Sequence, residues 1–245
     1  MPDSTSDSTS SGRHTSGGSR SGLSPRRAGA GLRTRFRRRL MHHAIIGFSA
    51  LIGGIAVTLA YDRPGLRHQV SLASAFVGFA LIALSLVLGP LNLVLRRPNP
   101  VSNDLRRDLG LWGATVGLLH VAVGLTVHMQ GRMYLYFLAP PESHSLSGLR
   151  LDAFGVSNYL GLFSGGVLVL LLFLSSDAAL RRFGAARWKR WQRLNYFGVV
   201  ALVGHGVLYQ IADKRRSELV VLFAAIAVTV AGAQALGVRA FRRRH

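Results

Sequence analysis

Two histidines mark where chemistry is concentrated in this chain. His120 stands twelve residues beyond Asp108, and His205 twelve beyond Arg193, each charge being the last before a long apolar run. If both runs are helices in the same direction, the imidazoles share one height, about 18 Å from those charges at 1.5 Å per residue. Neutral imidazoles at one depth can ligate the two faces of a haem iron, whose potential nearby groups then tune. The competing readings are an interhelical hydrogen bond without a cofactor, or a proton or ion relay. His128, near the outer end of the same run, has no counterpart at its height on the run that carries His205; Asp213 is nearest, and it reads as an interfacial residue. His42 and His43 sit at the edge of the first run, where juxtamembrane polarity accounts for them.

Small residues accompany the pair. Gly113, Gly117 and Gly124 fall at i−7, i−3 and i+4 from His120, on one helical face. Gly198 and Ala201 fall at i−7 and i−4 from His205, between Gly204 and Gly206 in the chain. A flat macrocycle needs such residues where it lies against a helix. Close helix packing needs them equally, as the pair Gly161 and Gly165 illustrates.

The elements that must hold these residues are six windows, near 41–61, 70–93, 109–129, 156–175, 194–212 and 219–238. Each is long enough to cross a hydrocarbon layer of about 30 Å. Backbone in lipid must satisfy its own hydrogen bonds, so each is helical. The expected fold is an all-α integral membrane bundle of six transmembrane helices, with Gly89-Pro90 bending the end of the second. No Asp, Glu, Lys or Arg falls inside these windows, which leaves the histidines as the ionisable groups at depth.

Charge lies outside them. The chain has 245 residues, 30 Lys or Arg against 10 Asp or Glu, and a net charge of +20. That balance alone suggests nucleic acid, but 49% hydrophobic content and no recognition motif argue against it. Of the 30 basic residues, 23 fall in the N-terminal tail, the 94–108 and 176–193 loops and the C-terminal tail, so the positive-inside rule puts both termini in the cytoplasm. Residues 1–40 read as a disordered basic tail, 41–238 as the membrane domain and 239–245 as a basic C-terminal tail. An uncleaved first span fits better than a signal peptide, whose apolar region would be shorter. The absence of cysteine excludes disulfides, iron–sulfur clusters and c-type haem attachment.

The segment from Arg106-Arg107-Asp108 through Trp112 to Leu119-His120 resembles the third helix of the ferric reductase-like transmembrane domain family. Ser175-Ser176, Leu180-Arg181-Arg182-Phe183-Gly184, Arg187-Trp188-Lys189-Arg190 and Arg193-Leu194 are similar to that family's loop into helix five, followed by Tyr196 and His205. Within the family the pattern is most similar to the haem-binding membrane subunits of bacterial periplasmic methionine-sulfoxide reductase systems. The resemblance spans residues 41–238 and implies b-type haem between helices three and five, and electron passage across the cytoplasmic (inner) membrane of a bacterium. Many relatives carry a second histidine on helix five, thirteen residues before the first; Gln192 stands there in this chain, so one haem is expected. A flavin- and NADPH-binding module of the larger relatives has no counterpart after the sixth window. The implied electron donor is a cytoplasmic-side partner, quinol or a bound flavin. The implied acceptor is a periplasmic or extracellular reductase, ferric iron or oxygen.

On this reading His120 and His205 are iron ligands, and Gly113, Gly117, Gly124 and Gly198 contact the haem. Trp112, Trp191, Tyr196 and Tyr209 either shorten electron hops or form an aromatic belt. A membrane transporter or channel using the histidines as a relay, and a scaffold recruited through the basic tail, are the rival classes. The 130–155 loop, with Pro140, Pro141 and His144, is a connection that a partner could dock against.

Overall fold

Long apolar runs without internal Asp, Glu, Lys or Arg fold here into helices whose outward faces stay apolar. Phe48, Leu59, Val200 and Val228 are each more than 60% exposed, an arrangement that lipid solvates and water does not. The structure is a computed structural model and describes residues 25–61, 65–96, 101–140, 148–212 and 217–243. By contacts it divides into two units, residues 1–37 and 38–245. The first is helical from residue 25, so residues 25–40 of the tail expected to be disordered over 1–40 are helix, while residues 1–24 lie outside the described residues.

The described residues form seven α-helices in order: α1 Pro25–Ala60, α2 Leu66–Val94, α3 Val101–Gly124, α4 Ala153–Leu174, α5 Asp177–Gln192, α6 Leu194–Ala212 and α7 Ser217–Arg242. Among the described residues no strand forms, only an isolated antiparallel bridge between Leu138 and Leu149. Among the described residues five stretches are long and apolar enough to cross a membrane: Phe36–Ala60, Leu66–Val94, Ala153–Leu174, Ala178–Ala212 and Glu218–Arg242. The chain thus has the make-up of a multi-pass membrane protein.

The third expected window is where the structure differs. α3 begins at Val101 with Asp104, Arg106, Arg107 and Asp108 in its first turns, and it ends at Gly124 instead of running to residue 129. Its uncharged part, Leu109 to Gly124, is sixteen residues, about 24 Å at 1.5 Å each. Thr126 N and Val127 N bond back to the carbonyls of Val123 and Gly124, tightening the end into turns. The buried Tyr136 then caps it, its hydroxyl donating to Gly124 O at 2.8 Å and accepting from His128 N at 2.8 Å. Burial pushes the Tyr136 phenol up, and the bond from His128 N opposes this. α2 meanwhile continues through Pro90 to Val94, and the basic loop over 176–193 is itself the helix α5, with Gly184 at φ 70°. Trp188 Nε1 ties α5 to the last turn of α4 through Leu174 O, 2.8 Å.

α2 is the hub, with 56% of its spanning window buried against 6% for α1. Its Leu81 packs on Ile46 and Leu109, its Ile82 and Leu86 on Val230, and its Leu72 and Phe76 on Leu219. Glycines set the closest approach. A Cβ on Gly78 would lie 3.0 Å from the Gly117 backbone nitrogen, and one on Gly113 would lie 2.9 Å from Ile82 N, so α2 and α3 touch backbone to backbone. Across the bundle, Gly198 of α6 makes the same room for Val167 of α4.

At the charged end of α3, Asp108 is fully buried. It accepts from Arg39 at 2.8 Å and His42 Nδ1 at 3.3 Å, and His43 Nε2 stands 3.6 Å away. Trp112 Nε1 donates to His43 Nδ1 at 3.1 Å, and Arg38 pairs with Asp104 at 3.2 Å. His42 and His43 are therefore bonded into a buried network that pins α1 to α3, and are not simple interfacial polarity. A carboxylate buried in this way is tolerable only because it is paired and hydrogen-bonded.

Two outcomes follow from this packing. Gly78→Val should drive α2 off α3 and lower stability by about 1–3 kcal/mol, visible as a lower thermal midpoint in detergent. Asp152 caps α4 by accepting from Gly155 N at 2.7 Å, and the bond from Arg150 holds its carboxyl below the usual range, against the opposing effect of burial. A lowered folded pKa adds stability above the unfolded value of about 4 and loses it as pH falls through the folded value. Thermal midpoints of Asp152→Asn should therefore vary less than the wild type's below about pH 4.

Candidate functional site

His120 of α3 and His205 of α6 are brought together: their ring centres lie 6.2 Å apart with planes at 61°. Each is held by the helix beside it, in the same manner. His120 Nδ1 donates to the carbonyl of Ser71 on α2 at 2.9 Å, and Ser71 Oγ lies 3.3 Å from the same nitrogen. His205 Nδ1 donates to the carbonyl of Ser157 on α4 at 2.8 Å, with Ser157 Oγ at 3.1 Å. The Ser157 hydroxyl returns a bond to His205 O at 3.0 Å, closing a reciprocal clamp.

A carbonyl oxygen only accepts, so the proton of each neutral imidazole is on Nδ1 and its lone pair is on Nε2. That is the tautomer of a metal-ligating histidine whose second nitrogen is fixed by an outer partner. A metal–imidazole bond of about 2 Å places two rings on opposite sides of one ion with centres about 6 Å apart. The spacing and the donor set therefore fit a single metal held between two imidazoles. Among the described residues no group of three or more His, Cys, Asp or Glu converges as a metal site.

Both rings open onto a cavity of about 170 Å³ lined by α2, α3, α4, α6 and α7. One water needs about 10–15 Å³ by the same measure, so the space suits a group and not a hydration site. Its wall is mostly apolar: Phe76, Phe79, Ile82, Val121, Leu168 and Leu202 contribute, and among the described residues no Lys, Arg, Asp or Glu lines it.

The expected glycines divide. Gly117 and Gly124 line the cavity, Gly124 lying below His120. Gly113 and Gly198 are not on its wall; they accommodate Ile82 and Val167 at helix contacts. Gly161, whose spacing suggests only packing, is instead at the site, since a Cβ there would lie 2.8 Å from His205 Nδ1. Tyr209 is the one of the four aromatic candidates on the cavity wall, its ring centre 5.5 Å from that of His205. Trp112 serves the Asp108 network, and Trp191 and Tyr196 are exposed.

His128 is placed otherwise than its spacing suggests. It lies beyond the end of α3 and packs edge to face on His68 of α2, ring centres 5.4 Å apart, with Tyr136, Phe154 and Tyr209 around it. Comparing helix heights only between the third and fifth windows misses this, because the partner is on the second. Ser71, Ser157 and His68 carry no sequence signal beyond being polar residues within or beside apolar helices. His144 and Pro141 lie outside the described residues, and Pro140 leads into that segment.

Searches against models of known protein families and against curated proteins find no match to this chain.

The tautomer can be checked without any cofactor. In protein labelled with ¹⁵N-histidine, His120 and His205 should each show a protonated Nδ1 and an unprotonated Nε2. Gly161→Val should break the His205 bond to Ser157 O and move the His205 resonances while leaving those of His120 in place.

Proposed function

We propose that this chain is a membrane b-type cytochrome, in which His120 and His205 would hold the iron of one haem. The observation that carries the reading is the matched pair of Nδ1–H bonds to helix carbonyls, which fixes both lone pairs on Nε2 at a ring spacing suited to one iron. The resemblance to the ferric reductase-like transmembrane domain family, and within it to the methionine-sulfoxide reductase membrane subunits, points the same way and includes the residues that flank the pair in sequence.

A haem held there supplies one-electron chemistry at a potential that its surroundings tune. The chain's residues do the rest. Ser71 and Ser157 orient the ligands and raise their basicity through the Nδ1 proton. The apolar wall limits water, and the low dielectric disfavours added charge on the metal. Gly161 leaves the His205 ring space to turn toward the pair. Gly117 and Gly124 keep the α3 side of the cavity shallow.

On this reading the protein crosses a bacterial cytoplasmic membrane six times, α3 included, with both termini cytoplasmic. It takes electrons from a cytoplasmic-side partner, quinol or flavin, and delivers them to a periplasmic or extracellular acceptor. The proton-relay alternative has a chain of rings in its favour, from His205 through Tyr209 to His128. It is the weaker reading because each Nδ1 proton is given to a backbone carbonyl, which cannot pass a proton on.

A reduced-minus-oxidised spectrum of the purified protein should show b-type Soret and α bands. His120→Ala and His205→Ala should each abolish the low-spin form, whereas His128→Ala should retain it. Absence of these bands in wild-type protein purified from haem-replete cells would refute the cytochrome reading.

A further inference from the structure

Past the break at Gly184, where φ is 70° and ψ is 158°, α5 and α6 run on as one rod. The residue between them, Arg193, has helical angles (φ −66°, ψ −19°). Bonds from Arg193 N to Arg190 O and from Tyr196 N to Arg193 O carry the turn across. α6 has 19 residues, about 28 Å, which matches a hydrocarbon layer of about 30 Å. The end of α5 is therefore the part of this rod that stands in the headgroup layer, which adds about 5–7 Å on each side. Trp188, bonded to Leu174 O of α4, keeps that end from swinging.

The outward stripe of α6 is apolar and exposed, running through Tyr196, Val200, Val207 and Ile211. Lys189 stands seven residues before Tyr196, and Arg193 seven before Val200, so each continues the stripe two turns further out. Lys189 lies about 6 Å beyond Arg193 along the axis. Both are exposed, and neither has an acidic partner among the described residues. The cations on α1 differ, since Arg38 pairs with Asp104 and Arg39 with Asp108. Arg190, about 100° further round, faces away from the stripe.

We propose that Lys189 and Arg193 bind the headgroup of an anionic phospholipid whose acyl chains lie along the apolar stripe of α6. A guanidinium takes two phosphate oxygens at once, and an ammonium adds a point charge. The Tyr196 ring suits the boundary between headgroup and chains, with its hydroxyl toward water. An acidic protein could meet the two cations but would have no use for the apolar stripe directly below them. A lipid uses both. The proposal stands on the α5–α6 rod alone and is independent of the haem reading.

Full-length protein in a neutral detergent is mixed with phosphatidylglycerol or phosphatidylcholine carrying identical chains, and the lipid retained per protein is counted by native mass spectrometry. Each cation near a headgroup contributes about fivefold in affinity for net negative charge. Wild type should therefore retain phosphatidylglycerol over phosphatidylcholine by about twentyfold. Lys189→Gln and Arg193→Gln should each lower that ratio about fivefold, and the double variant should bring it near one. Arg193→Lys, which keeps the charge, should retain most of it. Because each ratio compares two lipids on one preparation, partial misfolding of a variant does not imitate the result.

Arg181 and Arg182 lie on α5 before the break, off the rod, and supply the control. Arg181→Gln/Arg182→Gln removes as much charge and should leave the ratio unchanged. If it lowers the ratio as far as the Lys189 and Arg193 double variant, the effect is the helix's overall charge and the proposed site is refuted. If wild type shows no preference between the lipids, the proposal is overturned and an acidic protein becomes the occupant to seek.

Discussion

The hydrogen bond from an imidazole Nδ1 to the carbonyl of a neighbouring helix is the constraint around which this bundle is arranged. It occurs twice, from His120 to Ser71 and from His205 to Ser157. Each bond demands that a particular helix lie alongside, α2 with α3 and α4 with α6. In an apolar interior an imidazole N–H without an acceptor is costly, so the bonds select these pairings over others. The carbonyls belong to intact helices and are rigid, which transfers helix rigidity to the rings. The two pairs are built alike, with a serine in each case presenting both its carbonyl and its hydroxyl to the imidazole.

Close packing makes those bonds geometrically available. Gly78 and Gly117 let α2 and α3 meet at backbone distance, and Gly198 does the same for α6 against Val167 of α4. In lipid, helices gain little from burying apolar side chains, so close van der Waals contact and polar bonds must hold them. The Asp108 network adds a charged fastening at one end of α3, and the Tyr136 cap, braced by Arg150 bonded to Leu135 O, closes the other. α3 is fastened at both ends and lies along the hub of the bundle.

Much of this was legible in the sequence for a simple physical reason. Lipid admits so few backbone solutions that an uncharged apolar run has to be a helix, and equal spacing from a flanking charge puts His120 and His205 at one height. What escaped was set by contacts between helices distant in sequence. Nothing in the spacing of Gly161 distinguishes a packing glycine from one that clears an imidazole. Gly113 and Gly198 have periodicity relative to the histidines yet face other helices, because a helical face about 100° wide touches more than one neighbour. The end of α3 was misplaced because residues 125–129 continue the apolar run, and only the Tyr136 cap shows that the helix stops at Gly124. α5 was hidden by its charge, being a helix that lies outside any apolar pattern.

The shortness of α3 carries a consequence for the surrounding bilayer. Its uncharged stretch of about 24 Å falls short of a typical hydrocarbon layer of about 30 Å. α2, which packs along it, is longer at 29 residues. On the six-span reading proposed above, the mismatch is confined to α3. Lipids there must thin, or the aqueous boundary must dip inward, each at a modest energetic cost. Either adjustment brings the membrane surface down toward His128 and the outer mouth of the cavity. On that reading the molecule carries its own local thinning of the membrane, and it would be most at ease in bilayers that are thin to begin with.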